Sequence, residues 1–373
     1  MPEGGPCCRA RATHAILRGM PPRLDAPTEV HRRQFGTTPD GTTVDAFDLT
    51  CGDVTATVLS YGGVLQSVRL PDRDGVRDEV LLGHDDLAGY LADEAFLGAT
   101  VGRFANRIGG GRFTLDGREH RLPQNHGSST LHGGPGGFHA RVWDAREVAD
   151  GVLLGRRSPD GEMGFPGTLD VEVTVTLRAE GLRLAYSART DAPTVVNLTN
   201  HAYWNLAGAG TRTVEDHLVQ VLAEEYVPVD ADFVPLGHLE AVAGTPLDLR
   251  DPVRLGDGVR RSHLQLLRAG GYDHCWVRPG TGTAETLLAR VLEPRSGRRL
   301  EVSTDQPGVQ LYSGNMLDGS VVGRGGRTLR QGDGLCLETQ HLPDSPNQPD
   351  FPSTVLRPGE TFSTTTLLAF GMD

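Results

Sequence analysis

From about residue 42 onward, apolar and polar residues alternate with a period of two. That spacing puts one side of a strand in a core and the other in water. The runs "VDAFDLT", "VTATVLS" and "VLQSVRL" follow it, separated by turns that contain Gly or Asp. The clearest hairpin is "LDVEVTVTLRAEGLRLAYSA". Val171, Val173, Val175 and Leu177 share one face, Glu172, Thr174 and Thr176 share the other, and Glu180-Gly181 predicts the turn. Asp116-Gly117, Asp150-Gly151 and Ser296-Gly297 predict further hairpins. Helical periodicity is scarce. "DLAGYLAD" (86–93) and "SHLQLLRAG" (262–270) predict short helices, the second closed by a glycine cap. No internal repeat of roughly 20–50 residues is present, which argues against a propeller or solenoid. The pattern predicts an all-β fold: a large antiparallel β-sandwich of two big sheets packed face to face, with few short helices.

No Pro/Gly/Ser linker interrupts the chain after residue 31, so residues 31–373 are expected to form a single domain. Residues 1–30 stand apart. They carry no sustained period and no signal-peptide apolar core. They are expected to be a disordered extension or an upstream mis-start, with Met20 as an alternative first residue.

Composition narrows the function classes. Gly (49) and Pro (24) are abundant and the hydrophobic fraction is 38%, which suits a loop-rich β protein better than a helical bundle. Arginine supplies all 36 basic residues; against 48 Asp plus Glu the net charge is −12. Nucleic-acid binding normally needs a basic face, so it is excluded as an expectation, and a polyanionic substrate is disfavoured. No apolar run approaches the ~20 residues of a membrane span. The five cysteines (Cys7, Cys8, Cys51, Cys275, Cys336) are odd in number and irregular in spacing, with no C-x-x-C pair. Neither a disulfide framework nor a zinc ribbon is expected, and a reducing, cytoplasmic location fits best.

The common chemical signatures are missing: no P-loop, no H-E-x-x-H, no G-x-S-x-G, no EF-hand loop. "GRGGR" (323–327) reads as a turn, and the sequon at Asn197 carries no weight in a cytoplasmic protein. Six polar islands remain: "GRFANRI" (102–108), "LHGG" (131–134), "NHAYWN" (200–205), "GYDH" (271–274), "QPGVQLYSGN" (306–315) and "CLETQH" (336–341). Glu338 lies in a run that looks buried on both faces. It is either paired with an arginine or kept at high free energy for chemistry. His201 beside aromatics is either a hydrogen-bonded core residue or a proton-transfer group. His132 could precede a turn, Asp273 could cap one, and Arg107 could be a surface charge. A metal site built from His132, His201, His274 and His341 is the sharp rival, but none of them share short ligand spacing, so no metal is expected.

Taken together, the islands resemble the aldose 1-epimerase family, also called galactose mutarotases. "GRFANRI", "LHGG", "NLTNHAYWNL", "GYDHCW", "QPGVQLYSGN", "CLETQHLPDSPNQPDFPS" and "LRPGE" follow the family's order from about residue 32 to the C-terminus. The resemblance implies a large β-sandwich with an open sugar cleft. It implies Glu338 as general base and His201 as general acid. It also implies Asn106, Arg107, His132, Asp273 and Gln310 as substrate-binding residues, with aromatics such as Trp204 shaping the cleft wall. The implied reaction interconverts α and β anomers of free aldoses by ring opening and closure, with no cofactor. It needs a carboxylate facing an imidazolium. The expected partner is a small monosaccharide, and the expected state is a monomer or homodimer. A hexose-6-phosphate 1-epimerase and a non-catalytic carbohydrate-binding protein on the same fold are the alternatives.

Overall fold

A computed structural model describes residues 26–280 and 284–373. The expected extension lies outside the described residues as far as residue 25, Met20 included. The first strand, Glu29–Thr37, begins just inside it.

The period-two runs become strands, and every named pairing between them is antiparallel. Nine strands form the largest sheet, with Leu169–Arg178, Gly181–Thr190 and Phe362–Met372 as adjacent long members. Six form a second sheet, in the order Tyr203–Trp204, Leu335–Gln340, Gly308–Tyr312, Asp273–Val277, Glu225–Val227, Glu240–Ala241. Five strands between Glu29 and Glu79 make a third sheet, which the two-sheet expectation did not include.

The valine hairpin is built as its pattern demands. Val171, Val173, Val175 and Leu177 are buried, while Asp170 and Glu172 are exposed. Its turn is displaced by one residue from expectation. The closing pair is Arg178 with Gly181, so Ala179 and Glu180 form the tip. Asp116-Gly117 does occupy its hairpin tip. Both residues are left-handed (φ 49° and 78°), as a tight two-residue hairpin requires. The expected helices are Leu87–Leu91, capped by the Asp86 side chain, and Leu264–Ala269, ended by Gly270 at φ 65°. A third, Leu255–Val259, was not anticipated because two of its five residues are glycines, poor helix formers. Gly258 is there for packing: a Cβ would lie 2.3 Å from the Tyr272 hydroxyl. Among the described residues no helix is long and apolar enough to cross a membrane.

Alternation within the six-stranded sheet sorts the chain into two environments. Trp204, Trp276, Val309, Leu311, Leu335 and Leu337 enter a core shared with the nine-stranded sheet. Their immediate neighbours Tyr203, Tyr312 and Cys336 belong to a different cluster on the other face. The polar residues Asp273, Gln310 and Glu338 have the same parity as that second set, so they too leave the main core.

The fold also buries many histidines. Desolvation pushes His139, His201, His217, His274 and His341 down to about 4, and His132 well below its ordinary value. The unfolded chain therefore binds more protons than the folded one below about pH 6.5. Stability contributed by these groups is present above that pH and is lost as pH falls toward 4. Glu338 and Asp344, both raised by burial, act in the opposite sense, losing stability as pH rises above the ordinary carboxyl range. The histidines outnumber them. The thermal midpoint should fall steadily between pH 7 and pH 4.5; calorimetry showing a flat midpoint across that range would contradict this account.

Candidate active site

The second face of the six-stranded sheet forms one wall of a cleft. Glu338 pairs in register with Gln310, and Asp273 with Tyr312, so these side chains stand side by side. The opposite wall comes from loops. The short strands Arg107–Ile108 and Thr130–Leu131 pair, and the residues flanking them, Asn106 and His132, are both left-handed at φ 61° and 52°. Such backbone is uncommon for non-glycine residues and tends to mark functional sites. His201 follows the strand Thr199–Asn200. Its backbone is pinned by hydrogen bonds to Ala99 and Gly98.

These elements bring six of the seven expected residues to a single cleft of about 250 Å³: Asn106, Arg107, His132, His201, Asp273 and Glu338. That is below the roughly 300–1,000 Å³ of pockets for drug-sized ligands, and suits one sugar ring. Gln310 is the exception. It sits behind the wall, where its amide donates to Asp273 Oδ1 at 2.7 Å. Trp204 does not shape the cleft. It is buried in the main core against Phe370, because a one-residue step along a strand reverses the face. Tyr203, the preceding residue, lines the cleft instead.

Sequence reasoning also missed Phe96, Tyr312 and the rim residues Glu94, Met316 and Asp318. Tyr312 was legible, two residues from Gln310 on one strand face. Phe96 was not, since nothing periodic marks its loop. It sits at φ 59°, with its ring 4.7 Å from that of His132 and 6.0 Å from that of His201. Asp93 holds the loop by accepting from the backbone N–H groups of Ala95 and Leu97.

The electrostatics separate charges turned into the protein from those in the cleft. Arg103, in the same motif as Arg107, turns into the protein and donates to the carbonyls of Pro166, Gly167, Ser158 and Pro159. Arg107 enters the cleft, lies 3.6 Å from Asp273 and stacks over Phe233. Asp273, at the start of its strand, is thus an ion-pair partner and not a turn cap. No arginine forms an ion pair with Glu338 among the described residues. One Glu338 oxygen lies 3.6 Å from His201 Nε2, and the other has no hydrogen-bond partner among the described residues. Burial pushes the Glu338 carboxyl well up and His201 down to about 4. Desolvation is the largest cause of both shifts, so burial favours the neutral form of each group.

His132 is fixed differently. Its Nδ1 accepts the backbone N–H of Asn106 at 3.2 Å, which assigns the ring proton to Nε2. Burial and the neighbouring His201 and Arg107 keep this ring neutral. The tautomer bears on metal binding. Ligand atoms of His132, His201 and Glu338 lie within 4.8 Å of one another. A protonated Nε2 has no lone pair to give, so the set does not fit a resident cation. The four-histidine alternative is not assembled either. His274 Nε2 meets Gln265 on the core-facing side of its strand, and His341 lies against Phe362.

Comparison with known proteins identifies the family. The model of the family described as aldose 1-epimerase matches residues 45–369. The galactose mutarotase of Bos taurus is 44% identical over 344 residues, covering 92% of this chain and 99% of that protein. The aldose 1-epimerase of Escherichia coli K12 is 39% identical over 318 residues, covering 84% and 91%. Among solved structures, the galactose 1-epimerase of Lactobacillus acidophilus superposes with a TM-score of 0.81 at 29% identity, covering 92% and 99%. An aldose epimerase homologue from C. elegans gives 0.79 at 31%, covering 86% and 96%. With the fold, the order of the polar islands and these relatives in agreement, the chain belongs to the aldose 1-epimerase family.

Proposed function

We propose that this protein interconverts the α and β anomers of free aldoses, galactose or glucose among them, with Glu338 and His201 as its proton-transfer pair. The observation that carries this reading is the pair itself: a carboxyl and an imidazole 3.6 Å apart, both buried. Glu338 takes the proton of the C1 hydroxyl. The bond from C1 to the ring oxygen breaks, and His201 gives that oxygen a proton. The open aldehyde turns about C1–C2. On closure the sugar hydroxyl returns its proton to His201 and attacks the other face of C1, while Glu338 returns the first proton. Nothing is oxidised and every proton is recovered.

Burial makes this chemistry effective. A carboxylate whose acid form is strongly favoured is a strong base, and an imidazolium titrating at about 4 is a strong acid. The neutral pair and the ion pair hold the same single proton, so passing between them needs none from solvent. His132, a fixed Nε2–H donor, is suited to charge developing on a sugar oxygen. Asn106, Arg107 and Asp273 are suited to orienting hydroxyl groups, and Gln310 to holding Asp273.

A purely binding protein would gain nothing from a buried carboxyl with one oxygen unpartnered among the described residues, so the arrangement favours an enzyme over a carbohydrate-binding module. The hexose-6-phosphate alternative fails on charge. Glu94, Asp273, Asp318 and Glu338 line the cleft, against Arg107 as its one arginine among the described residues. Arg260 and Arg324, outside the cleft, pair with Glu215 and Glu79. The reading extends to residues 31–373 working as one unit, monomeric or homodimeric, in the cytoplasm. A core running from Phe47 to Phe370 supports the first part.

Polarimetry of fresh α-galactose or α-glucose tests the pair. Glu338→Gln and His201→Asn should each lower kcat by about 10²–10⁴-fold, with KM little changed. Near wild-type rates in folded variants would refute the assignment. The rate on glucose 6-phosphate should have a kcat/KM at least about tenfold below that on glucose, a difference of ~1.4 kcal/mol; equal values would restore the phosphate alternative. Light scattering giving a mass above a dimer would remove the oligomeric part.

A further inference from the structure

Strand Leu335–Gln340 offers His201 more than its carboxylate. Residues two apart on a strand point the same way, so Cys336 and Glu338 leave the same face. The Cys336 sulfur lies 3.6 Å from His201 Nδ1, and Glu338 Oε1 lies 3.6 Å from Nε2. The imidazole is thus held at both nitrogens by one strand. The strand Tyr203–Trp204 pairs Tyr203 with Cys336 just beyond His201, which keeps the ring and the thiol in step. We propose that Cys336 is a positioning residue: its sulfur accepts the Nδ1–H of His201, so that Nε2 alone gives and takes the catalytic proton.

The chemistry explains why sulfur stands there. When His201 gives up its Nε2 proton, the neutral ring must keep the other proton on Nδ1, and that proton needs an acceptor in a buried site. A carboxylate or carbonyl acceptor would stabilise the imidazolium and weaken it as an acid. A thiol is a weak acceptor, so it fixes the ring while leaving its acidity chiefly to burial, which outweighs the hydrogen bond of the ring to its own backbone. Burial also keeps the thiol protonated, well above its ordinary range, so it adds no negative charge beside the ring. The Glu338 acid form, favoured by the same burial, can donate to Nε2 and leaves Nδ1 as the protonated nitrogen. The alternative is a packing role alone, as a small member of the cluster with Tyr203 and Tyr312.

The inference rests on His201 acting as the general acid, and the experiment separates the two ideas. Mutarotation is followed by polarimetry across pH for the wild-type protein, Cys336→Ala and Cys336→Ser. Loss of the acceptor in Cys336→Ala should lower kcat about tenfold or more, leave KM within about twofold, and move the alkaline limb of kcat to lower pH. The stronger acceptor in Cys336→Ser should restore much of kcat and move that limb to higher pH. A packing role would leave the limbs of all three proteins superimposed, and that result overturns the proposal. If the variants do not fold, the ring ¹⁵N spectrum of the wild-type protein decides, with the His201 signals assigned by comparison with His201→Asn. A neutral ring protonated on Nδ1 supports the contact as stated; one protonated on Nε2 overturns it. A wild-type protein that does not speed mutarotation would refute the function, while the spectrum would still judge the Cys336 contact.

Discussion

Holding a carboxyl and an imidazole 3.6 Å apart in a buried site is the demand around which this fold is arranged. Each group loses its hydration, and one Glu338 oxygen finds no protein partner among the described residues. Such burial is costly unless the surroundings compensate. The compensation lies on the same strand. Leu335 and Leu337 alternate with Cys336 and Glu338 and enter the main core with Val309, Leu311 and Trp276. Each buried side chain of this kind contributes ~1.5–3 kcal/mol. One strand therefore carries the destabilising group on one face and part of its offset on the other. A one-residue slip of its register would turn the leucines toward the cleft and drive Cys336 and Glu338 into the main core, so register and the place of the carboxyl are fixed together.

The loops on the opposite wall need their own anchors, because they have no long ladder of strand hydrogen bonds. Asn197 is the clearest. Fully buried, its side chain donates to the carbonyls of Ala105 and His341 and accepts from the His341 N–H. It thereby ties the segments that carry Arg107, His201 and Glu338. Asp344 makes a second tie: its N–H donates to the Arg107 carbonyl and its carboxylate accepts from Gly109. Neither residue touches the cleft, yet both set the separation of its walls. The sequon at Asn197 is thus a structural amide, occupied on every side.

Much of this was legible in the chain. The period-two runs carry the sheets because alternation is a local property, and burial of "LCLET" on both faces was visible in its composition. The six islands could be named without coordinates because polar residues in otherwise apolar strands need a reason. What was not legible depends on phase and contact. Trp204 and Tyr203 differ only in which face a two-residue strand presents, and nothing local sets that phase. The valine hairpin turn was displaced by one residue because Gly181, at φ 131°, closes the ladder and does not sit at its tip. Gln310 was placed among the substrate-binding residues by resemblance, and its hydrogen bond to Asp273 arises only when two distant strands pair. The directions of the Glu338 and His201 shifts were hidden for a similar reason. Attraction between the two can be written down from their types, whereas the depth of burial cannot.

On the proposed reading, the two histidines of the cleft divide the work by the nitrogen each leaves available. His132 has its Nδ1 occupied by a backbone N–H, and backbone cannot change its protonation. Its Nε2 is permanently a donor, able to hold charge on an oxygen but unable to accept a proton as a neutral base. Among the described residues no backbone N–H donates to the His201 ring, and the hydrogen bond to its own backbone is secondary to burial. Its Nδ1 meets a soft sulfur and its Nε2 meets a carboxyl that is itself titratable. Only this second arrangement lets a proton arrive and leave without breaking a hydrogen bond of the scaffold. Two rings with centroids 5.1 Å apart, chemically identical as free side chains, are thus made into a fixed donor and a reversible one by what stands behind each of them.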